Sequence, residues 1–232
     1  MMKLLAKMLN HTNLSKLVLR NIKMSAIRKH LGREFLSPIE QFILDGYHEK
    51  LYSNLPLNCE SKVIVLGGYE GASAQLLHAR YFSNIFVVEP LPQFVQILRS
   101  RLPSPKFKIL EFAASSKNGK IKIGIVGEKS GVKADSSQFF LANSRKASEF
   151  MREISNHIDL VEVNIEGSEY EVLDELIKSS YIKQIRCLLI QFHGDSIEDE
   201  FKRSSLRLEL SRTHYCVFNY LLVWERWEVI PR

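Results

Sequence analysis

The chain has 232 residues, 45% hydrophobic and 25% charged, with a formal net charge of +6. That size holds one sizeable domain and a small appendage, and the composition excludes disordered and fibrous classes. No run of about 18 apolar residues is present, so no segment reads as a membrane-spanning helix.

The charge is unevenly placed. Residues 1–33 carry Lys3, Lys7, Lys16, Arg20, Lys23, Arg28, Lys29 and Arg33 and no acid, which leaves 24 basic against 26 acidic side chains from residue 34 onward. The basic character therefore belongs to the N-terminal segment, and a nucleic-acid-binding core is disfavoured. Leu14, Leu17, Val18, Ile22, Met24, Ile27 and Leu31 recur there at helical spacing. Such a stripe suits packing on the domain or a homodimer contact, and alternatively a weak contact with an anionic membrane surface. The three cysteines, Cys59, Cys187 and Cys216, form no CxxC, which points to a reducing, cytoplasmic setting, peripheral to the inner face of a membrane on the second reading.

Residues 1–58 read as a helical extension, with Ser37-Pro38 opening a helix over 39–52, and residues 59–232 as the main domain. From Lys62 short apolar runs alternate with helical patterns. Strands are expected at 63–66, 85–88, 107–112, 120–126, 158–165, 185–192, 215–219 and 221–229. Helices are expected at 72–80, 91–102, 145–155, 169–179 and 198–211. Asn118-Gly119 is a hairpin signal between the third and fourth strands. The alternation predicts a mostly parallel α/β sheet of Rossmann-like type with helices on both faces, closed by an antiparallel edge. Aromatic residues crowd the C-terminus, where core packing is the default reading for Trp224 and Trp227.

Two places carry chemistry. In the first, the strand Val63–Leu66 runs into Gly67-Gly68-Tyr69-Glu70-Gly71, and a helix follows through Ala72 and Ser73. Glycines there admit a ligand to the backbone, and the helix start offers N–H donors. Glu89 ends the next strand, eighteen positions after Gly71, where a carboxylate can accept from ribose hydroxyls without belonging to the hydrophobic core. The dinucleotide fingerprint is absent, since Tyr69 is bulky and Ala72 replaces the third glycine. Glu70 also disfavours a phosphate. A nucleoside with a sulfonium and an amino-acid tail suits this turn better than NAD, so S-adenosylmethionine is the expected cofactor and a nicotinamide-dependent oxidoreductase the weaker reading.

The second place is the strand Ile158–Ile165 with Glu166-Gly167-Ser168-Glu169 after it. Asn164 and Glu166 share one side of an extended strand end. His193 ends the next strand and precedes Gly194-Asp195, where an imidazole with a pKa near 6.5 could take a proton from a hydroxyl. Glu169 and Glu171 fall in the first turn of a helix and complement its dipole. No histidine pair has metal-ligand spacing, so no metal is expected.

Asn164-Ile165-Glu166-Gly167-Ser168-Glu169, behind Ile158-Asp159-Leu160 and before Glu171-Val172-Leu173, resembles the signature of the FkbM-type methyltransferases. The likeness spans about residues 60–195 in order: the glycine turn, Val88-Glu89-Pro90, Ala113-Ala114-Ser115-Ser116 with Gly119, the Glu-Gly-Ser-Glu segment and Gln191-Phe192-His193. It implies a class I, S-adenosylmethionine-dependent enzyme that methylates a hydroxyl of a sugar, glycan or related metabolite. Gly67, Gly68, Tyr69, Gly71, Ser73, Glu89, Pro90, Ala114 and Ser115 would then bind cofactor, with Asn164, Glu166 and His193 at the catalytic centre. Val65, Tyr69, Glu162 and Asn164 replace an Asp, an Asn, a Lys and an Asp usual in that family. A degenerate fold serving as a non-catalytic binding or assembly subunit is the alternative that these substitutions suggest.

Overall fold

The computed structural model describes residues 36–127, 130–132, 136–194 and 196–231. The expected basic helix over residues 1–33 and Asp195 lie outside the described residues. Contacts divide the chain into two compact units, Met1–Lys50 and Leu51–Arg232. In the first, helix α1 (Pro38–Leu44) is opened by a capping box: Ser37 Oγ accepts from Glu40 N–H, and the Glu40 carboxylate accepts from Ser37 N–H at 2.8 Å. One continuous helix was expected here. The structure instead ends α1 at Asp45-Gly46, with Gly46 at φ +79°, before α2 (Tyr47–Tyr52) begins.

The larger unit alternates β1 (Lys62–Leu66), α3 (Ala72–Tyr81), β2 (Asn84–Val88), α4 (Pro92–Arg101) and β3 (Phe107–Leu110). A small excursion follows: β4 (Ala113–Ser115), β5 (Gly119–Gly124) and β6 (Phe139–Lys146). The chain then resumes with α5 (Ala147–Ile154), β7 (Ile158–Val163), α6 (Glu169–Lys178), β8 (Ile185–Ile190), α7 (Ile197–Leu210), β9 (His214–Tyr220) and β10 (Trp224–Val229). The seven-stranded sheet has the order β3-β2-β1-β7-β8-β10-β9. Its neighbours pair parallel except along β10, which runs antiparallel to both β8 and β9. The Rossmann-like sheet and its antiparallel edge are as the alternation predicts.

Burial on both faces explains why β1, β7 and β8 read as continuous apolar runs. Ile64, Leu66, Val161, Val163, Leu188 and Ile190 are all buried and share one core with Val172, Leu173 and Phe150 from the covering helices. Trp224 and Trp227 are buried, as the core reading of the aromatic C-terminus expects. Strand order reverses between β1 and β7. In open α/β sheets the crevice at such a switch point is where ligands bind.

The expected hairpin at Asn118-Gly119 does not form. β3 stops at Leu110, and β4 and β5 flank opposite sides of β6 in a separate three-stranded sheet, parallel and antiparallel to it respectively. Asn118 serves this sheet: its Oδ1 accepts from Lys146 N–H at 2.9 Å, and its Nδ2 donates to Glu149 at 2.7 Å. β6 also occupies part of the span expected to be helical, so that α5 starts at Ala147.

Candidate active site

A cavity of about 440 Å³ opens at the carboxyl ends of β1, β2, β7 and β8. Gly67, Tyr69, Glu89, Pro90, Ala114, Asn164, Glu166 and His193 line it, together with Leu91, Phe94, Gln191 and Ser168. Sequence reasoning placed the first eight of these at a site from two separate motifs, and the fold brings them to one wall.

Among the glycines of the first motif only Gly67 borders the cavity. It sits at φ +88°, and a Cβ there would lie 1.9 Å from the Asn164 carbonyl oxygen, so the β1 turn and the β7 end touch backbone to backbone. A Cβ at Gly68 would meet Val87 at 2.4 Å and Leu98 at 2.9 Å. Gly71, at φ +87°, packs against Leu98 and Leu102. These two glycines are placed for helix–strand packing, outside the cavity wall. Ser73 and Ser115 also lie outside it. Ser73 hydrogen-bonds to Glu162, while Ser115 Oγ donates to Glu171 at 3.2 Å. Glu70 turns away to pair with Arg101 at 2.6 Å.

Glu89 is buried, contrary to its expected place outside the core. Its two oxygens accept from Tyr69 N–H and Leu91 N–H, each at 2.9 Å, so the carboxylate ties the β1 turn to the start of α4. Burial raises its pKa, and the hydrogen bonds from Leu91, Tyr69 and Gly68 N–H groups oppose that rise. Each oxygen keeps acceptor capacity for a hydroxyl in the cavity. Tyr69, at φ +42°, lays its ring edge-on to Phe94 with centroids 4.6 Å apart and leaves the cavity open.

At the β7 end, Asn164 Oδ1 is buried with no hydrogen-bond partner among the described residues. Such an atom can accept a hydrogen bond from a ligand or a water. Glu166 follows at φ +48°, an uncommon conformation for a non-glycine residue. The turn is held by Glu169, which is fully buried and accepts from Gly167 N–H at 2.7 Å.

His193 lies between these two acids. Its Nε2 is 3.1 Å from Glu166 Oε1, its Nδ1 is 3.2 Å from Glu169 Oε1, and its N–H also donates to Glu169. Burial alone would lower the imidazole pKa, but the hydrogen bonds to Glu166 and Glu169 and their charge outweigh it, and the value rises to about 9. At neutral pH the ring therefore holds both protons. Glu169, which the sequence shows at a helix start and in the Glu-Gly-Ser-Glu segment, orients the ring.

A further part of the lining comes from β5 and the segment between β5 and β6: Ile121, Ile123, Gly127, Ser130, Gly131 and Val132. Gly131 packs so closely on Glu166 that a Cβ there would lie 2.6 Å from the Glu166 carbonyl oxygen. Nothing in the sequence linked these residues to the site. The described lining contains no lysine or arginine.

No family model matches the chain, and no curated protein matches it. Solved structures do. The chain is similar to a protein assigned as an rRNA methylase from Clostridium thermocellum, with a TM-score of 0.51 and 9% identity over 84% of this chain and 97% of that one. It is equally similar to SMU.1697c from Streptococcus mutans, assigned as a methyltransferase and solved in complex with SAH, with a TM-score of 0.51 and 10% identity over 84% of this chain and 99% of that one. At such identities the likeness is one of fold, and the fold is the Rossmann-like one of those two structures.

Proposed function

We propose that this protein is an S-adenosylmethionine-dependent methyltransferase of FkbM type, acting on a hydroxyl oxygen of a sugar, glycan or related metabolite. The observation that carries the reading is the switch-point cavity that Glu89 and Asn164 both line, with Asn164 Oδ1 unpartnered among the described residues and Tyr69 leaving the cavity open. The residues present fit the cofactor: Glu89 for the ribose hydroxyls, Pro90, Leu91, Phe94 and Ala114 for the adenine, Gly67 and Asn164 for the amino-acid tail. Asn164 supplies the acceptor for the ammonium group that Val65 cannot. When bound, the cofactor supplies an electrophilic methyl on a sulfonium, displaced in line by the acceptor oxygen.

The chain's part is positioning and proton handling. Glu166, braced by His193 and Gly131, presents a carboxylate to the cavity and accepts the hydroxyl proton as the oxygen is methylated. His193, protonated and pinned by Glu169, fixes that carboxylate and offsets part of the negative charge of the two acids. The strand-end position of His193 and the ordinary imidazole pKa suggested it as the base. A ring that already holds its proton near neutral pH suits the positioning role better, and the base role passes to Glu166.

Two features support an uncharged acceptor over a polyanion: two carboxylates in the cavity lining, Glu89 and Glu166, and no lysine or arginine among its described residues. The rRNA assignment of the Clostridium thermocellum relative is therefore not carried over. Calorimetric titration with S-adenosylmethionine and its demethylated product tests the reading. Binding of both is expected, and no binding at millimolar ligand would overturn it.

A further inference from the structure

The small sheet has a second side that this chemistry does not use. Ile121 stands opposite Ala142 and Ile123 opposite Phe140, and these four share a core with Leu91 and Phe94. Alternation then turns Lys120, opposite Asn143, and Lys122, opposite Leu141, to the outside. Phe139 continues the outer row. Phe139 and Leu141 are 58% and 56% exposed, and Lys122 Nζ sits 3.8 Å from the Phe139 ring centroid.

Charge is concentrated here. Residues 117–146 carry seven basic and two acidic side chains, whereas the rest of residues 34–232 carries seventeen basic against twenty-four acidic. The basic character is therefore not confined to residues 1–33: strands β5 and β6 carry Lys120, Lys122, Arg145 and Lys146 and no acid. Among the described residues neither Lys120 nor Lys122 enters an ion pair.

We propose that the outer face of this sheet, through Lys120, Lys122, Phe139 and Leu141, docks on an anionic lipid surface. Exposed apolar side chains flanked by lysines match the boundary between headgroups and acyl chains, where the ring and the leucine enter and the ammonium groups meet phosphates. A single-stranded nucleic acid fits less well. Lys122 already covers one face of the Phe139 ring, and Leu141 offers no surface for base stacking. Ile121 and Ile123 line the cavity from the inner side of the same sheet, so docking holds the cavity close to the lipid. The inference does not depend on which cofactor the cavity takes.

The test is sedimentation of the full chain with vesicles of equimolar phosphatidylcholine and phosphatidylglycerol. The eight basic groups of residues 1–33 are present throughout, so every comparison is between full-length variants. Reversing both lysines (Lys120→Glu with Lys122→Glu) is expected to lower partitioning about tenfold or more. The pair Phe139→Ser and Leu141→Ser is expected to lower it as well. A separate Phe139→Trp variant reads insertion directly: its added emission is expected to shift to the blue with anionic vesicles and not with pure phosphatidylcholine. Unchanged partitioning of both double variants, or an unshifted emission from the Phe139→Trp variant, would overturn the proposal. So would loss of oligonucleotide binding in the same variants with vesicle binding intact. Should a double variant fail to fold, the Phe139→Trp emission decides.

Discussion

Glu89 and His193 each do a second job beyond the one their position in the sequence suggests. Glu89 holds the N–H groups of Tyr69 and Leu91 as well as facing the cavity. Glu89→Ala therefore loses about 1.5–3 kcal/mol of cofactor affinity, the range for hydrogen bonds to a charged group, and also leaves two buried donors unpaired at about 1–3 kcal/mol each. Titration with S-adenosylhomocysteine and thermal unfolding should both register the change. An unaltered melting point would contradict the bracing role, and unaltered affinity the ribose role. For His193, His193→Asn lets the Glu166 carboxylate shift and is expected to lower turnover by about 10²-fold with cofactor affinity near wild type. Because its pKa rises from 6.5 to about 9, the stability that its pairing contributes is complete below 6.5 and is lost as pH rises through about 9. Activity should then hold from neutral pH to about 8 and fall beyond about 9, and a rise with apparent pKa near 6.5 would return His193 to the role of base.

At the scale of elements, the parallel core was legible because its strands are buried on both faces and announce themselves as apolar runs. Lys62–Leu66, Ile158–Val163 and Ile185–Ile190 all lie within two residues of their expected ends. The three-stranded sheet was not legible. Three residues of β4 carry too little pattern, and β6 ends in Asn143, Ser144, Arg145 and Lys146, which satisfy their backbone against partners far along the chain. The site divided along the same line. The cavity wall built by β1, β2, β7 and β8 could be read from glycines and strand-end acids, whereas Ile121, Ile123 and Gly131 in the rest of the lining are ordinary residues until the fold places them. Gly131 gives that part of the lining a direct test. Gly131→Ala puts a methyl 2.5 Å from Glu166 Cβ. A displacement near 1 Å is expected to cost about 10²-fold in turnover, and the clash with Glu166 Cβ and backbone is expected to lower the melting point as well. Turnover equal to wild type would remove the segment from the active site.

Across the whole molecule the most exposed cost of this arrangement is Glu162, a carboxyl buried in the middle of β7 with Oε2 unpartnered among the described residues. Burial raises its pKa from 4.5 to about 7, against the opposing hydrogen bonds from Ser73 and Tyr52. The folded state thus binds a proton more tightly than the unfolded chain, so stability falls as pH climbs from about 4.5 towards 7 and levels off above it. The full effect is about 3 kcal/mol at most. Glu162→Gln, which mimics the protonated form, should flatten that dependence and raise the melting point at pH 8 relative to wild type. A variant less stable than wild type at pH 8 would show that the charged form is the one the fold prefers. The central claim concerns the cavity itself, and a crystal structure with S-adenosylhomocysteine tests it most directly. The ribose hydroxyls are expected on Glu89, the ammonium on Asn164 Oδ1, and the sulfur pointing toward Glu166. A ligand bound elsewhere, or a cavity that Tyr69 closes against it, would overturn the cofactor assignment.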